Sequence, residues 1–278
     1  MERSDQTFSF GLSERSMNKL LIDLEAIYRR AFENVRYIDV PKAITKWRKV
    51  SDAKEVVVFA NLTRKNMSHI AESLVALKKR FAKDGFDLKI FDGYSSMEHQ
   101  SFTDLMLARY LYKDFFSQES PTEHTYTLAV ADSRYFNIMN DLQEDAGGNQ
   151  FKLIIVDDLP YEIPNQFKQI FEIKINSNNL TAVEKVIIQE SLRNIKFGAK
   201  KEQYYTIKNI AQQNLQNSKI PMSQTIFVIA SMLAKKVLTR VPMSMTNEDG
   251  ETINYLALNI GEDDVVENFL AKYKLELK

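Results

Sequence analysis

The segment TYTLAVADSRYF (residues 125–136) carries a short apolar run into an aspartate, Asp132, and passes directly into a helix-like stretch. A carboxylate at the end of a buried strand can hold a hard cation such as Mg²⁺ or Mn²⁺, which takes oxygen ligands and activates bound water. The same carboxylate can instead accept hydrogen bonds from the first N–H groups of the helix and act only as its cap. A second acid bears on that choice. In SFTDLMLARYL, Asp104 shares a helical stripe with Leu107, Ala108, Leu111 and Phe115, and is expected to point toward the sheet near Asp132. Ser101 and Asp104 also fit a capping-box spacing, which is the plain structural alternative. Arg134, at the start of the helix after Asp132, can grip a phosphate with the helix N-terminus or close an ion pair with either acid.

Composition narrows the chemistry. The chain has no cysteine, so disulfides, thiol nucleophiles and Cys-based metal sites are excluded. Its three histidines, His69, His99 and His124, are too widely spaced to read as a metal motif. Lysine plus arginine equals aspartate plus glutamate at 37 each, so net charge points to no partner and charge distribution must do so. No apolar run approaches the roughly 18 residues of a membrane span, and MERSDQ does not open like a signal peptide. The expectation is a cytoplasmic protein without membrane contact. With eight glycines and no glycine-rich phosphate loop, ATP and dinucleotide binding are disfavoured.

The elements that must position these residues follow from periodicity. Residues 13–36 place Met17, Leu20, Leu21, Leu24, Ile27, Tyr28 and Phe32 at helical spacing, and Pro41 interrupts the pattern. Trp47 then sits among Lys42, Lys46, Arg48 and Lys49, as a basic linker with one anchored aromatic. From residue 55 short apolar runs alternate with helices. EVVVFA, LKIF, YTLAVA, KLIIVD and FEIKI read as strands, with helices over about 69–84, 102–116 and 133–145 between them. This pattern predicts an α/β fold with an open, mostly parallel sheet and helices on both faces. Ligands of such sheets bind beyond the carboxyl ends of the strands, here marked by Asn61, Asp92, Asp132 and Asp157.

The segment 54–175 resembles the NYN domain of the PIN-like nucleases. In that family a first strand ends in an aspartate, a helix opens on an acid, and a later strand ends in a motif of the SGDSDF type. The corresponding stretches here are VVFANL with Asn61, SFTDLMLARYL with Asp104, and AVADSRYF with Asp132. Arg134 stands where the family usually has a second acid, and Tyr110 where another aspartate often follows the helix acid. The resemblance implies a metal-dependent ribonuclease site using Mg²⁺ or Mn²⁺, with Asp104 and Asp132 as ligands and Asn61 as a neutral donor. The exchanged acids imply that the site is weak or inactive.

Beyond residue 176 a capping box at Thr181–Glu184 opens a helix, and two more follow near 204–216 and 222–238. The last has Ile226, Ala230, Leu233 and Val237 in a stripe, and a hairpin turns at Asn247–Gly250 before a terminal helix. The order predicts a winged-helix-like α+β unit. Lys196, Lys200, Lys201, Lys208, Lys235 and Lys236 give this region a basic stretch suited to phosphate contact, whereas Glu248, Asp249 and Glu251 at the hairpin would repel it. The expected organisation is an N-terminal helix and linker (1–53), the NYN/PIN-like domain (54–175) and the winged-helix-like domain (176–278). The function expected is nucleic-acid binding, RNA before DNA. Two alternatives stand beside it: a non-enzymatic interaction scaffold dimerising through 13–36 or the C-terminal unit, and a Rossmann-like nucleotide sensor.

Overall fold

The computed structural model describes residues 17–62, 67–92, 103–117, 124–131, 135–146, 151–156, 168–172, 180–199, 201, 203–246 and 249–276. The first element is a strand, not a helix. β1 (Asn18–Asp23) leads without a loop into α1 (Leu24–Glu33), followed by α2 (Val40–Ser51). Leu20, Leu21 and Ile22 are fully buried, and β1 is hydrogen-bonded on both edges. A run buried on two faces needs no alternation, and its apolar residues happen to satisfy helical spacing as well. The expected linker around Trp47 is the helix α2, with Trp47 fully buried and Pro41 in its first turn. The sheet therefore takes in β1, upstream of residue 54, and Asn18–Glu33 is a central strand followed by a packed helix rather than one helix.

The chain continues through β2 (Glu55–Ala60), α3 (Ser68–Lys83), β3 (Asp87–Asp92), α4 (Thr103–Phe116), β4 (Thr125–Val130), α5 (Tyr135–Ala146), β5 (Phe151–Ile155) and β6 (Lys168–Glu172). The six strands form one parallel sheet in the order β3-β2-β1-β4-β5-β6. One face, with Leu20, Ile22, Val56 and Val58, packs against α1, α2 and α3. The other, with Leu21, Val57, Phe59, Leu128 and Val130, packs against α4 and α5. Helices cover both faces, as the alternating pattern predicts. The strand order reverses between β1 and β4, and a doubly wound sheet opens its ligand crevice at that point.

The C-terminal region contains α6 (Ala182–Ala199), α7 (Ile207–Ser218), α8 (Met222–Ala234), the antiparallel pair β7 (Leu238–Thr246) and β8 (Thr252–Ile260), and α9 (Asp263–Tyr273). Tyr205, between α6 and α7, bridges antiparallel to Leu258 of β8. The capping box at α6 is present: Thr181 N donates to Glu184 Oε2 (2.7 Å) and Glu184 N to Thr181 Oγ1 (3.3 Å). The apolar stripe of α8 differs from the expected one. Phe227, Val228, Ile229 and Met232 are buried, while Ile226 is exposed. The packed face is turned toward α1, where the Phe227 ring meets Tyr28, Phe32 and Tyr37 edge-on at 5.3, 5.5 and 5.7 Å.

One buried carboxylate fastens this region to the α/β unit. Glu184 is 1% exposed, accepts from the Tyr37 backbone N–H at 2.8 Å and lies 3.3 Å from Arg36 Nε. Its reach depends on Val35, which holds φ of 57° at the end of α1 while fully buried, a backbone state that a β-branched residue seldom takes. Replacing Glu184 by Ala would remove the ion pair with Arg36 and leave the Tyr37 and Thr181 backbone donors without this acceptor. The expected loss is about 3 kcal/mol, read as a lower urea midpoint; an unchanged midpoint would show that the carboxylate is not the fastening.

Candidate functional site

The carboxyl end of β1 brings Asp23 to the switch point, a residue that the sequence pattern had placed inside a helix. Alternation along β1 puts Lys19, Leu21 and Asp23 on the face covered by α4 and α5. Asp23 is 2% exposed and does two structural jobs. Its Oδ1 accepts from Ala26 N at 3.1 Å, capping α1, and its Oδ2 accepts from the Tyr135 hydroxyl at 2.8 Å. Tyr135 is the first residue of α5, so this bond ties the end of β1 to the start of α5.

Burial pushes the Asp23 carboxyl up from 3.8 to about 6. The bonds from Tyr135 and Ala26 pull it down, and the charges of Asp104 and Glu25 push it up further. Asp104 lies in the first turn of α4, half-buried, near enough for its charge to bear on Asp23. Leu107, Leu111 and Phe115 of the expected stripe are buried, but Thr103 completes it, and Asp104 and Ala108 lie half-buried at its edge. Asp104 Oδ1 accepts from the Leu105 N–H (3.2 Å), while its expected capping partner Ser101 lies outside the described residues. Glu25, 3% exposed, adds a third carboxylate at the start of α1.

Asp132 and Arg134, the two residues on which the sequence argument leaned most, lie outside the described residues, as do Asp157 and Lys200. Asn61 is buried one residue past β2, at the carboxyl edge of the sheet. It does not end the first strand, because EVVVFA is the second; the residue at the end of the first strand is Asp23. Asp92 is an exposed turn acceptor, taking the Leu62 N–H at 2.9 Å. Tyr110 belongs to the opposite end of the sheet, where its hydroxyl donates to Glu55 Oε1 at 2.7 Å. Lys196, Lys201, Lys208 and Lys236 are exposed, and Lys235 is half-buried with its pKa lowered by burial and by Lys272. Asp23 was missed because its strand was missed. The available signal was LLID, an apolar run ending in an acid and followed at once by a helix.

The donor set around Asp23 is all oxygen, which suits a hard divalent cation and not a soft one. Among the described residues no group of three acids or histidines stands close enough to enclose a metal ion. Asp23 and Asp104 supply two carboxylates at the crevice. The β1–α1 turn contains no glycine and is occupied by the Asp23 cap, so a dinucleotide pyrophosphate has no cradle there. Among the described residues no helix is long and apolar enough to cross a membrane. Comparison of the chain with protein-family models finds no match, and comparison with curated proteins finds none.

The raised carboxyl gives a signed stability prediction. Between pH 3.8 and about 6 the folded protein keeps a proton that the unfolded chain has released, so stability falls as pH rises through that window. The total loss is about 3 kcal/mol. Asp23→Asn keeps an acceptor and removes the buried charge. It is expected to stabilise the protein by about 1–3 kcal/mol at pH 7.5 and to flatten the stability profile between pH 4 and 6. Destabilisation at pH 7.5 in urea unfolding, with the slope intact, would contradict it.

Proposed function

We propose that the protein is a metal-dependent nuclease-like protein that binds RNA in preference to DNA, with Asp23 as the principal acid of its site. The observation that carries this reading is the buried Asp23 at the switch point of a parallel sheet, its carboxyl raised chiefly by burial and further by the charge of Asp104. A carboxylate buried with no cation against it is a poor choice for stability alone, and such burial is expected where a cation or substrate relieves it. The sheet order supports the resemblance to the NYN/PIN-like family, in which the first strand ends in an aspartate. Asp23 supplies that residue where VVFANL offered only Asn61. In this reading Asp23 and Asp104 stand for the family's first two acids, and Asp132, by its place in the sequence, for the third. A bound Mg²⁺ or Mn²⁺ would activate water for phosphodiester hydrolysis. The chain's own part is to hold Asp23 rigid through Ala26 and Tyr135, and to balance the cation's charge with Asp104 and Asp132.

The C-terminal elements fit a winged-helix-like unit, with a three-helix run, a short bridge at Tyr205 and a hairpin. It serves as a scaffold in this reading. Its third helix, MSQTIFVIASMLA, has no charged residue and is spent on packing against α1, so it is not offered to a DNA groove. One observation favours the second reading, a non-enzymatic interaction protein. The hairpin exposes Met245, Ile253 and Leu256.

The test is hydrolysis of labelled single-stranded RNA with Mn²⁺. Cleavage is expected to vanish in EDTA and to fall at least about 100-fold in Asp23→Asn and in Asp104→Asn. Persistence of cleavage in Asp23→Asn would end the assignment of Asp23. Absence of cleavage in the unsubstituted protein would favour the scaffold.

A further inference from the structure

A concave feature lies on the same face of the sheet, away from Asp23 and lined in part by Asp114, whose carboxylate is bonded to Lys19 and Tyr126. A cleft of about 440 Å³ opens between the edge strand β3 and α4, in the size range of small-ligand sites. Phe91, Met106 and Tyr110 form its apolar wall, and Lys89, Arg109 and Lys113 its cationic one. Phe91 and Tyr110 lie with ring centroids 5.6 Å apart, and Phe91 stacks in turn on buried Phe59 at 5.2 Å.

The ion pairing at this end of the sheet is already accounted for. Asp114 accepts from Lys19 Nζ (2.8 Å) and from the Tyr126 hydroxyl (2.7 Å), and Glu55 accepts from Lys89 Nζ and the Tyr110 hydroxyl, both at 2.7 Å. Those bonds neutralise Lys19 and Lys89. Arg109 and Lys113 remain exposed, with no ion pair among the described residues. An aromatic wall beside two unspent cations complements a planar base flanked by phosphates.

We propose that this cleft holds one unpaired nucleotide of a single-stranded nucleic acid, its base against Phe91 and Tyr110 and its neighbouring phosphates on Arg109 and Lys113. The proposal rests on the reading above for the strand's direction. α4 carries Asp104 in its first turn, with Arg109 and Lys113 about 7 and 13 Å further along the helix axis. A strand seated in the cleft is thereby led toward the Asp23–Asp104 crevice. A duplex cannot enter, because its bases are stacked and paired.

The experiment is fluorescence anisotropy of a labelled uridine octamer in EDTA at low salt, which measures binding without cleavage. The unsubstituted protein is expected to bind with affinity that falls as salt rises, and Asp23→Asn to bind as well. Arg109→Glu/Lys113→Glu is expected to weaken binding at least tenfold with its thermal midpoint unchanged. Arg109→Ala alone should weaken it by a smaller factor and guards against misfolding of the double variant. Equal binding by the double variant overturns the proposal, and so does failure of the unsubstituted protein to bind the octamer. Uridine monophosphate competing as tightly as the octamer also overturns it, in favour of a free nucleotide. Cleavage lost in Asp23→Asn while octamer binding proves independent of Arg109 and Lys113 would leave the nuclease reading standing and remove the cleft alone.

Discussion

The structure depends on one constraint, the complete enclosure of β1. This strand is paired in parallel on both edges, to β2 and to β4, and packed on both faces. Its even positions face α1 and α2, and its odd positions face α4 and α5. Because the chain runs first to one side of β1 and then crosses to the other, the carboxyl end of β1 opens on the crevice of the sheet. Whatever stands there is buried by the fold and directed at any ligand. The sequence puts an aspartate in that place.

Charge is handled differently at the two ends of the sheet. At the amino end, Lys19 and Lys89 are matched against Asp114 and Glu55, and the tyrosines Tyr110 and Tyr126 complete the network, their own ionisation pushed up by burial. At the carboxyl end Asp23 is buried without a cationic partner among the described residues, and burial, with smaller contributions from the charges of Asp104 and Glu25, raises its carboxyl. One helix, α4, spans both ends. A balanced network needs no ligand to be stable. A buried carboxylate without a cationic partner would gain from a cation, which is why the proposed site lies at this end and not the other.

Much of the fold was legible in the sequence because β2, β3, β4 and β5 are continuous β-branched and aromatic runs separated by helical stripes. The buried stripe of α4 was legible in Leu107, Leu111 and Phe115, although Thr103 and not Asp104 completes it. β1 was not, since LLI passes into Leu24, Ile27 and Tyr28 with no turn residue between, and both periodicities fit. That single ambiguity shifted the strand count by one and sent the search for the first acid to Asn61. The α8 stripe failed for a related reason: a helix apolar on most of its surface does not reveal which face will meet Tyr28 and Phe32. Tyr110 was informative in sequence only as a missing acid, and its bond to Glu55 depends on a pairing of β2 with α4 that no local pattern reports.

The central claim is that Asp23 is an acid held for a cation and not only a cap for α1. Crystals soaked in Mn²⁺ and measured at the manganese absorption edge test it directly. The account predicts an anomalous peak bonded to the Asp23 carboxylate and shared with Asp104. A fully soaked crystal with no peak at Asp23, or with manganese bound elsewhere on the chain alone, would contradict it.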